Sequence, residues 1–457
     1  MFSSLNRNIL QPLHARRNGS RWTTHLPGLR RTQFDPPEVV AQNQWLALRA
    51  MLFHAFETVP FYRKRWTALG IHPHDIRSAD MLESLPILTK QDLRERADEL
   101  ISDRYRGLPL VRKKTTGSTG IPVEVLVDAA SMNWKRACTT RTDEWSGWRQ
   151  GERVAKVWGN PEYQRQGIKG YLRNLFLDRA TYLDTREIDS NRIREFVDTL
   201  RRRPPSLLFG HAHSLWLIAL WVRQNAPDAF RPRGIISTAM MLSASQRRTI
   251  EDAFHTPVTD RYGCEEVSLI ASECEVHRGL HVNAESVHVG IDRSAAGLYP
   301  QRTGPILVTD LTNFAMPIIR YRTGDVVTLS DEKACDCGRG LPMLENVQGR
   351  TADFVVTPAG SLISGISLTE NFACLIRGTA QLQIVQESRT HLRLRLVPDA
   401  TFGEESKTQI AGLVRDTFGP SMTHELEYLG SIAPEKSGKF RFCISPVAEE
   451  FVRSNSI

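Results

Sequence analysis

Pro257-Val258-Thr259-Asp260-Arg261-Tyr262-Gly263-Cys264-Glu265-Glu266 opens as a strand and closes with residues that a strand has no need of. The run from Pro257 to Arg261 predicts a β-strand, and Tyr262-Gly263 at its end supplies an aromatic face for a purine and a sharp exit. Glu265 and Glu266 follow at once, placed to hold Mg²⁺ against the phosphates of a nucleotide. Read alone, the same residues also suit a capped helix start with surface acids. Short apolar runs on either side alternate with helix-like segments, among them Arg153–Trp158, Ser206–Phe209 and Gly304–Thr309. That alternation predicts an α/β domain.

Three further segments extend the nucleotide reading. Thr115-Thr116-Gly117-Ser118-Thr119-Gly120 has the small, hydroxylated composition that lets backbone N–H groups approach a triphosphate. No Gly-Lys-Ser/Thr ends it, so it is not a Walker loop, and a polar hairpin turn has the same composition. Asp325, after Thr323-Gly324, is placed like a carboxylate that accepts from both ribose hydroxyls, or like a plain turn aspartate. Lys439 lies in Ser437-Gly438-Lys439, with Lys436 and Arg441 as competing cations. A carboxylate attacking an α-phosphate brings two anions together, and an ammonium that neutralises the transition state contributes roughly 3 to 5 kcal/mol. In this order, the segments point to activation of a carboxylate as an acyl adenylate.

Composition narrows the alternatives. The 457 residues carry 41% hydrophobic and 24% charged side chains, as in an ordinary globular protein long enough for more than one domain. The net charge of +8 suits anionic small molecules. No Lys/Arg-rich block or nucleic-acid motif accompanies it, so nucleic acid is not expected as a partner. The greasiest stretch, Leu215–Val222, is far short of the roughly 18 residues a membrane span needs and predicts a core helix. No signal-peptide core is evident, which implies the cytoplasm. Residues 1–34 hold six arginines and no acid, a composition shared with mitochondrial transit peptides, and are read as a basic, partly disordered arm. Seven cysteines in no small-scaffold pattern fit a reducing compartment.

Ordered structure is expected to start at Asp35-Pro36-Pro37-Glu38, with Asp35 as helix cap, followed by a face of Trp45, Leu48, Leu52, Ala55 and Phe56 that Val59-Pro60 ends. A large N-terminal α/β domain over residues 35–348 then gives way near Gly349-Arg350 to a small α+β domain over 349–457. The small domain is read from two alternating strands, Ala380–Val385 and Leu392–Val397, a helix from Phe402 to Phe418 and a strand near His424–Leu429.

Taken together these segments resemble the signatures of the acyl-adenylate-forming superfamily, and within it the phenylacetate–CoA ligase family. The telling details are Val59-Pro60-Phe61-Tyr62, Leu85-Pro86-Ile87-Leu88-Thr89-Lys90 and Cys335-Asp336-Cys337-Gly338-Arg339, while Gly349–Pro358 looks closer to the capsular-polysaccharide branch. The resemblance spans roughly residues 40–445. It implies that Thr115, Thr116, Gly117, Ser118, Thr119 and Gly120 cradle the phosphates and that Tyr262 stacks on adenine beside Gly263 and Glu265. It further implies Glu266 for Mg²⁺, Asp325 for the ribose, Arg350 at a hinge that lets the small domain swing, and Lys439 for adenylation. Ala352 departs from the usual acidic hinge residue, and Glu265 from the usual Ser or Thr. ATP with Mg²⁺, a small carboxylic acid and coenzyme A, or an amine acceptor, are the implied reactants, with a homodimer as one assembly. An amide ligase or an adenylyltransferase is the alternative reading.

Cys274, His281, Cys335 and Cys337 form a Cys₃His set with the spacing of a structural zinc site, as relatives with this arrangement have. His277 competes on spacing, and free thiols are the plainer reading. His211 and His213 are read as pocket lining or plain structure, and Cys264 as no nucleophile.

Overall fold

The computed structural model of the chain describes residues 2–114, 123–158, 167–185, 190–295, 298–332, 334–350, 354–360, 362–364, 368, 372, 376–433 and 441–455. β1 (Val111–Lys114) and β2 (Glu124–Val127) form an antiparallel hairpin. The next strands are β3 (Val154–Val157), β4 (Ala180–Leu183), β5 (Leu207–His211), β6 (Gly234–Thr238) and β7 (Val258–Cys264), all parallel in the order 4-3-5-6-7. Helices Ser190–Arg202, Ala212–Asn225 and Ala244–Phe254 make the crossovers. The middle one is the expected core helix, burying Leu215, Ile218, Ala219 and Val222 at helical spacing. β6 is buried along its whole length, as a strand packed on both faces must be.

Beyond β7 the sheet changes character. β8 (Ser268–Glu273), β9 (Leu280–Val282), β10 (Val287–Ile291), β11 (Thr303–Asp310), β12 (Tyr321–Leu329) and β13 (Met343–Arg350) join antiparallel, completing one eleven-stranded sheet. β7 is therefore the strand at which the topology switches, the place where open α/β sheets form ligand crevices. The strand also runs three residues further than the sequence suggests. Gly263 pairs with Leu269 across a bulge, and a Cβ there would lie 2.6 Å from the Ser268 carbonyl oxygen. Only glycine allows this approach, so Tyr262-Gly263-Cys264 lies in the strand rather than after it.

The N-terminal segment, expected from its composition as a basic arm, is helical over most of its described length. Helical turns run from Phe2 to Arg17, and a second helix, Trp22–Thr32, buries Trp22, Leu26 and Leu29 against Ala137 and Cys138. The next helix, Pro37–Thr58, starts with Pro37 at its first position, and Pro36 rather than Asp35 occupies the cap. Leu48, Leu52 and Ala55 enter the main core, with Trp45 and Phe56 packed against it.

Two of the quoted motifs serve the scaffold. The Tyr62 hydroxyl donates to the Pro317 carbonyl (2.9 Å). Leu88 exchanges backbone hydrogen bonds with Arg320 and Arg322, which fixes the start of β12. Thr89 caps the helix Lys90–Glu95 in a capping box with Asp92.

After a short hairpin, β14 (Phe354–Val356) with β15 (Leu362–Ser364), the C-terminal unit is a separate sheet. Its strands are β16 (Thr379–Ser388), β17 (His391–Pro398), β18 (Thr423–Tyr428) and β19 (Cys443–Ile444), in the order 18-17-16-19. Helix Glu404–Phe418 places Ile410, Val414 and Phe418 on Leu382, Ile384, Leu392 and Leu394 of that sheet. Apolar contact with the large domain passes through Tyr299 and Val326 on one side and Phe354, Val356 and Ala448 on the other. No helix among the described residues is long and apolar enough to cross a membrane.

Candidate functional site

The ends of β7, β12 and β13 bring the motif residues to one rim. Tyr262, half-buried near the end of β7, donates its hydroxyl to Asp325 Oδ2 on β12 at 2.7 Å. Thr323 Oγ1 donates to the same oxygen at 3.1 Å and accepts from the Asp325 amide, also at 3.1 Å. Gly324 between them has a φ of +94°, a left-handed turn that glycine adopts without strain. Burial, and then the Asp325 charge, hold the Tyr262 phenol well above its usual range, so it remains a donor. Arg350 lies opposite Asp325 in the β12–β13 register, which sets the end of β13 beside that residue.

The two glutamates after Cys264 part company. Glu266 turns inward and is buried, accepting from the hydroxyl of fully buried Tyr321 at 3.0 Å. Glu265 is exposed and faces Lys113, whose Nζ lies 3.9 Å away and donates to Ser268 Oγ at 2.9 Å. Burial pulls the Lys113 ammonium below the usual lysine range, while the Glu265 charge works in the opposite direction. Burial, followed by the neighbouring Glu266 charge, pushes the Cys264 thiol well up, so it is not poised as a thiolate.

Thr115, Thr116, Gly117, Ser118, Thr119 and Gly120 lie outside the described residues, as do Lys436, Lys439 and Ala352. Their anchors are described. Lys113 on β1 fastens the base of the Gly-rich segment to the β7–β8 turn. Beyond Lys439, the Arg441 carbonyl accepts from Gln383 Nε2 at 2.7 Å, and the Phe442 carbonyl from the Ile384 amide at the same distance. Lys113 was not singled out by the sequence, and Tyr321 stood at the head of the segment Tyr321–Asp325 with no role assigned to it. Tyr321 had a signal, since it shares strand parity with Thr323 and Asp325.

Cys274, His281, Cys335 and Cys337 converge, with their four ligand atoms all within 4.8 Å of one another. The Cys274 and Cys335 sulfurs are 3.8 Å apart, and Cys337 Sγ is 3.3 Å from His281 Nε2. A tetrahedral zinc with bonds of about 2.3 Å to sulfur and about 2.0 Å to nitrogen sets such pairs about 3.8 and 3.5 Å apart, so the donor set fits. His281 Nδ1 must donate to the Leu341 carbonyl (3.2 Å), which turns the Nε2 lone pair toward the thiols. His277, the rival ligand, is held instead by Glu273 at 3.1 Å. Gln33 braces the cluster from the N-terminal segment, its Oε1 accepting from Trp145 Nε1 (2.8 Å) and Arg339 Nε (3.1 Å). His211 stacks at 4.1 Å on Trp158, and His213 lies against Trp216. Neither histidine joins a metal-competent group among the described residues.

Residues 355–446 match the family model of the CapK C-terminal domain. Over 370 residues the chain is 23% identical to Protein CapK of Staphylococcus aureus, covering 80% of each. Over 346 residues it is 27% identical to phenylacetate-coenzyme A ligase of Escherichia coli (strain K12), covering 71% of this chain and 75% of that one. Among solved structures it superposes on 2-hydroxyisobutyryl-CoA ligase in the postadenylation state with a TM-score of 0.70, at 22% identity and 93% coverage of both chains. The same ligase in the thioesterification state, with 2-HIB-AMP and CoA, gives 0.58 at 21% identity, again over 93% of both. The chain is therefore similar over most of its length to Protein CapK and to phenylacetate-coenzyme A ligase, matches the CapK C-terminal domain over residues 355–446, and shares the fold of 2-hydroxyisobutyryl-CoA ligase.

Proposed function

We propose that this chain uses ATP and Mg²⁺ to convert a carboxylic acid into an acyl adenylate and then passes the acyl group to coenzyme A. In the first step a carboxylate oxygen attacks the α-phosphorus and pyrophosphate leaves. In the second, the thiolate sulfur attacks the acyl carbon and AMP leaves. The observation that carries this reading is the meeting of Tyr262, Thr323 and Asp325 at the topological switch, with Glu266 fixed beside them.

Asp325 would accept from the ribose hydroxyls, held for that task by the two hydroxyls already on Oδ2. Glu266 would hold Mg²⁺, its carboxylate oriented by Tyr321, whereas Glu265 is engaged at the surface by Lys113. The ring of Tyr262 would flank adenine, and the Thr115–Gly120 segment would cradle the phosphates. Lys439 would neutralise charge during adenylation, with Arg350 near the hinge. The different superposition scores for one ligase in two states suit a small domain that moves between half-reactions. Cys274, His281, Cys335 and Cys337 would hold a zinc that closes a loop and leaves no open position, hence a structural one.

The CapK-type C-terminal domain supports a second reading, in which the adenylate goes to an amine or the nucleotide itself is transferred, in polysaccharide assembly. A panel of carboxylic acids assayed for pyrophosphate release, with and without coenzyme A, tests both. An acyl-CoA product supports the first reading, an amide or adenylylated acceptor the second. No acid-dependent pyrophosphate release would overturn adenylation altogether.

A further inference from the structure

Two neighbouring helical segments turn apolar side chains outward. Along Phe2–Arg17, Phe2, Leu5, Ile9 and Leu13 recur at helical spacing and are 38%, 43%, 48% and 60% exposed. Along the helical turns Gly167–Arg173 and Asn174–Asp178, Ile168, Tyr171, Leu172, Leu175 and Phe176 do the same, with Ile168 at 81%. The opposite faces lock the segments together. Asn6 and Gln11 donate side-chain hydrogen bonds to the Leu177 carbonyl, and Arg179 donates to Ser3 Oγ at 2.7 Å. Phe2 and Phe176 approach at 6.4 Å between ring centroids, joining the two stripes into one surface. Contiguous apolar surface of this kind is uncommon on soluble chains unless it meets a partner.

Charge identifies the partner. Residues 1–21 carry Arg7, Arg16, Arg17 and Arg21 and no acid, and residues 167–179 carry Lys169, Arg173 and Arg179 against Asp178 alone. Arg7 turns inward to the Gln150 carbonyl and Glu152, and Arg179 to Ser3 and the Gly151 carbonyl, so Arg16, Arg17, Arg21 and Lys169 form the exposed cationic rim. Asp178 is already paired with Arg173 at 3.0 Å. A second copy docked across a two-fold axis would bring this cationic rim against itself, which like charges oppose. An apolar stripe flanked by Arg and Lys is instead the pattern of helices that lie in the interface of an anionic bilayer. We infer that this face docks the protein on membranes containing anionic lipid, the apolar side chains entering the headgroup boundary while the arginines meet phosphate. Nothing in the inference depends on the proposed chemistry.

The test is co-sedimentation of the full chain with vesicles of phosphatidylcholine containing roughly a third phosphatidylglycerol, against vesicles of phosphatidylcholine alone. The expected result is at least about tenfold tighter binding to the anionic vesicles, weakened by high salt. Leu5→Glu, Leu13→Glu, Ile168→Glu and Leu172→Glu together should abolish it with an unchanged melting curve, because all four side chains are exposed. Arg16→Glu, Arg17→Glu and Lys169→Glu should remove the preference for anionic lipid while leaving the apolar stripe intact. Equal binding to both vesicle types, no binding, or binding unaffected by either set would overturn the inference. So would ultracentrifugation showing a dimer that the apolar substitutions dissociate, since a second copy would then cover the face.

Discussion

Replacing Asp325 with Ala tests the proposed nucleotide site where its geometry is best defined. The carboxylate holds two hydroxyl donors on one oxygen, Tyr262 at 2.7 Å and Thr323 at 3.1 Å. If Asp325 binds the ribose as proposed, removing it takes away a charge-assisted acceptor worth about 1.5 to 3 kcal/mol, or roughly 10- to 150-fold in affinity. It also strands the Tyr262 hydroxyl, at a stability cost of about 1 to 3 kcal/mol. Titration calorimetry with ATP and with AMP should show a similar loss for both, because the ribose is common to them, while melting curves show a modest drop. Tyr262→Phe separates the two effects. Thr323 still orients the carboxylate, so affinity should fall by no more than about fivefold, in line with one neutral hydrogen bond. Unchanged nucleotide affinity in folded Asp325→Ala protein would remove this residue from the site. A loss confined to ATP would place it at the phosphates instead.

Lys439→Ala should slow adenylate formation at least about a hundredfold while sparing thiolysis of a supplied acyl adenylate; equal loss in both half-reactions would count against a role in the first. Purified protein should carry about one equivalent of zinc by elemental analysis, and Cys335→Ser or Cys337→Ser should lower both zinc content and melting temperature; metal-free protein of undiminished stability would leave four ordinary residues. Gly263→Ala should destabilise the fold, since the added Cβ would sit 2.6 Å from the Ser268 carbonyl oxygen, and a melting temperature within about a degree of the parent would contradict the bulge. Burial pushes His213 and His288 down to about 4 from 6.5, so the unfolded chain takes up their protons first and stability should fall as pH drops from about 6.5 toward 4. His213→Gln should flatten that decline, and an identical pH profile would show that the group titrates normally.

What the sequence made legible were features whose chemistry is local. Helix Ala212–Asn225 follows from the spacing of its own apolar residues, and the hairpin of β16 and β17 from strict alternation. The Cys₃His set was visible from donor type and spacing, and the resemblance favoured His281, but spacing alone could not choose it over His277. That choice depends on Glu273, which engages His277, and on the Leu341 carbonyl, sixty residues from His281 along the chain. In the N-terminal segment the arginines dominate the composition and mask a second pattern. Trp22, Leu26 and Leu29 already formed a helical stripe, and burial of that stripe decides the outcome whatever the charge on the opposite face.

The site itself divides along the same line. Tyr262, Glu266 and Asp325 could be named singly because an aromatic at a strand end, an acid and a turn carboxylate each imply a task. Their partnerships could not, since Tyr262 meets Asp325 across 63 residues and Tyr321 meets Glu266 across 55. Those pairings exist because the sheet turns antiparallel at β7, laying β12 beside β13 and bringing both back toward the switch strand. The preference for Glu266 over Glu265 as proposed metal ligand, which the family resemblance implied, thus gains a topological argument. The turn after Cys264 sends one carboxylate inward to Tyr321 and leaves its neighbour at the surface with Lys113, a distinction that two adjacent identical residues cannot carry in sequence.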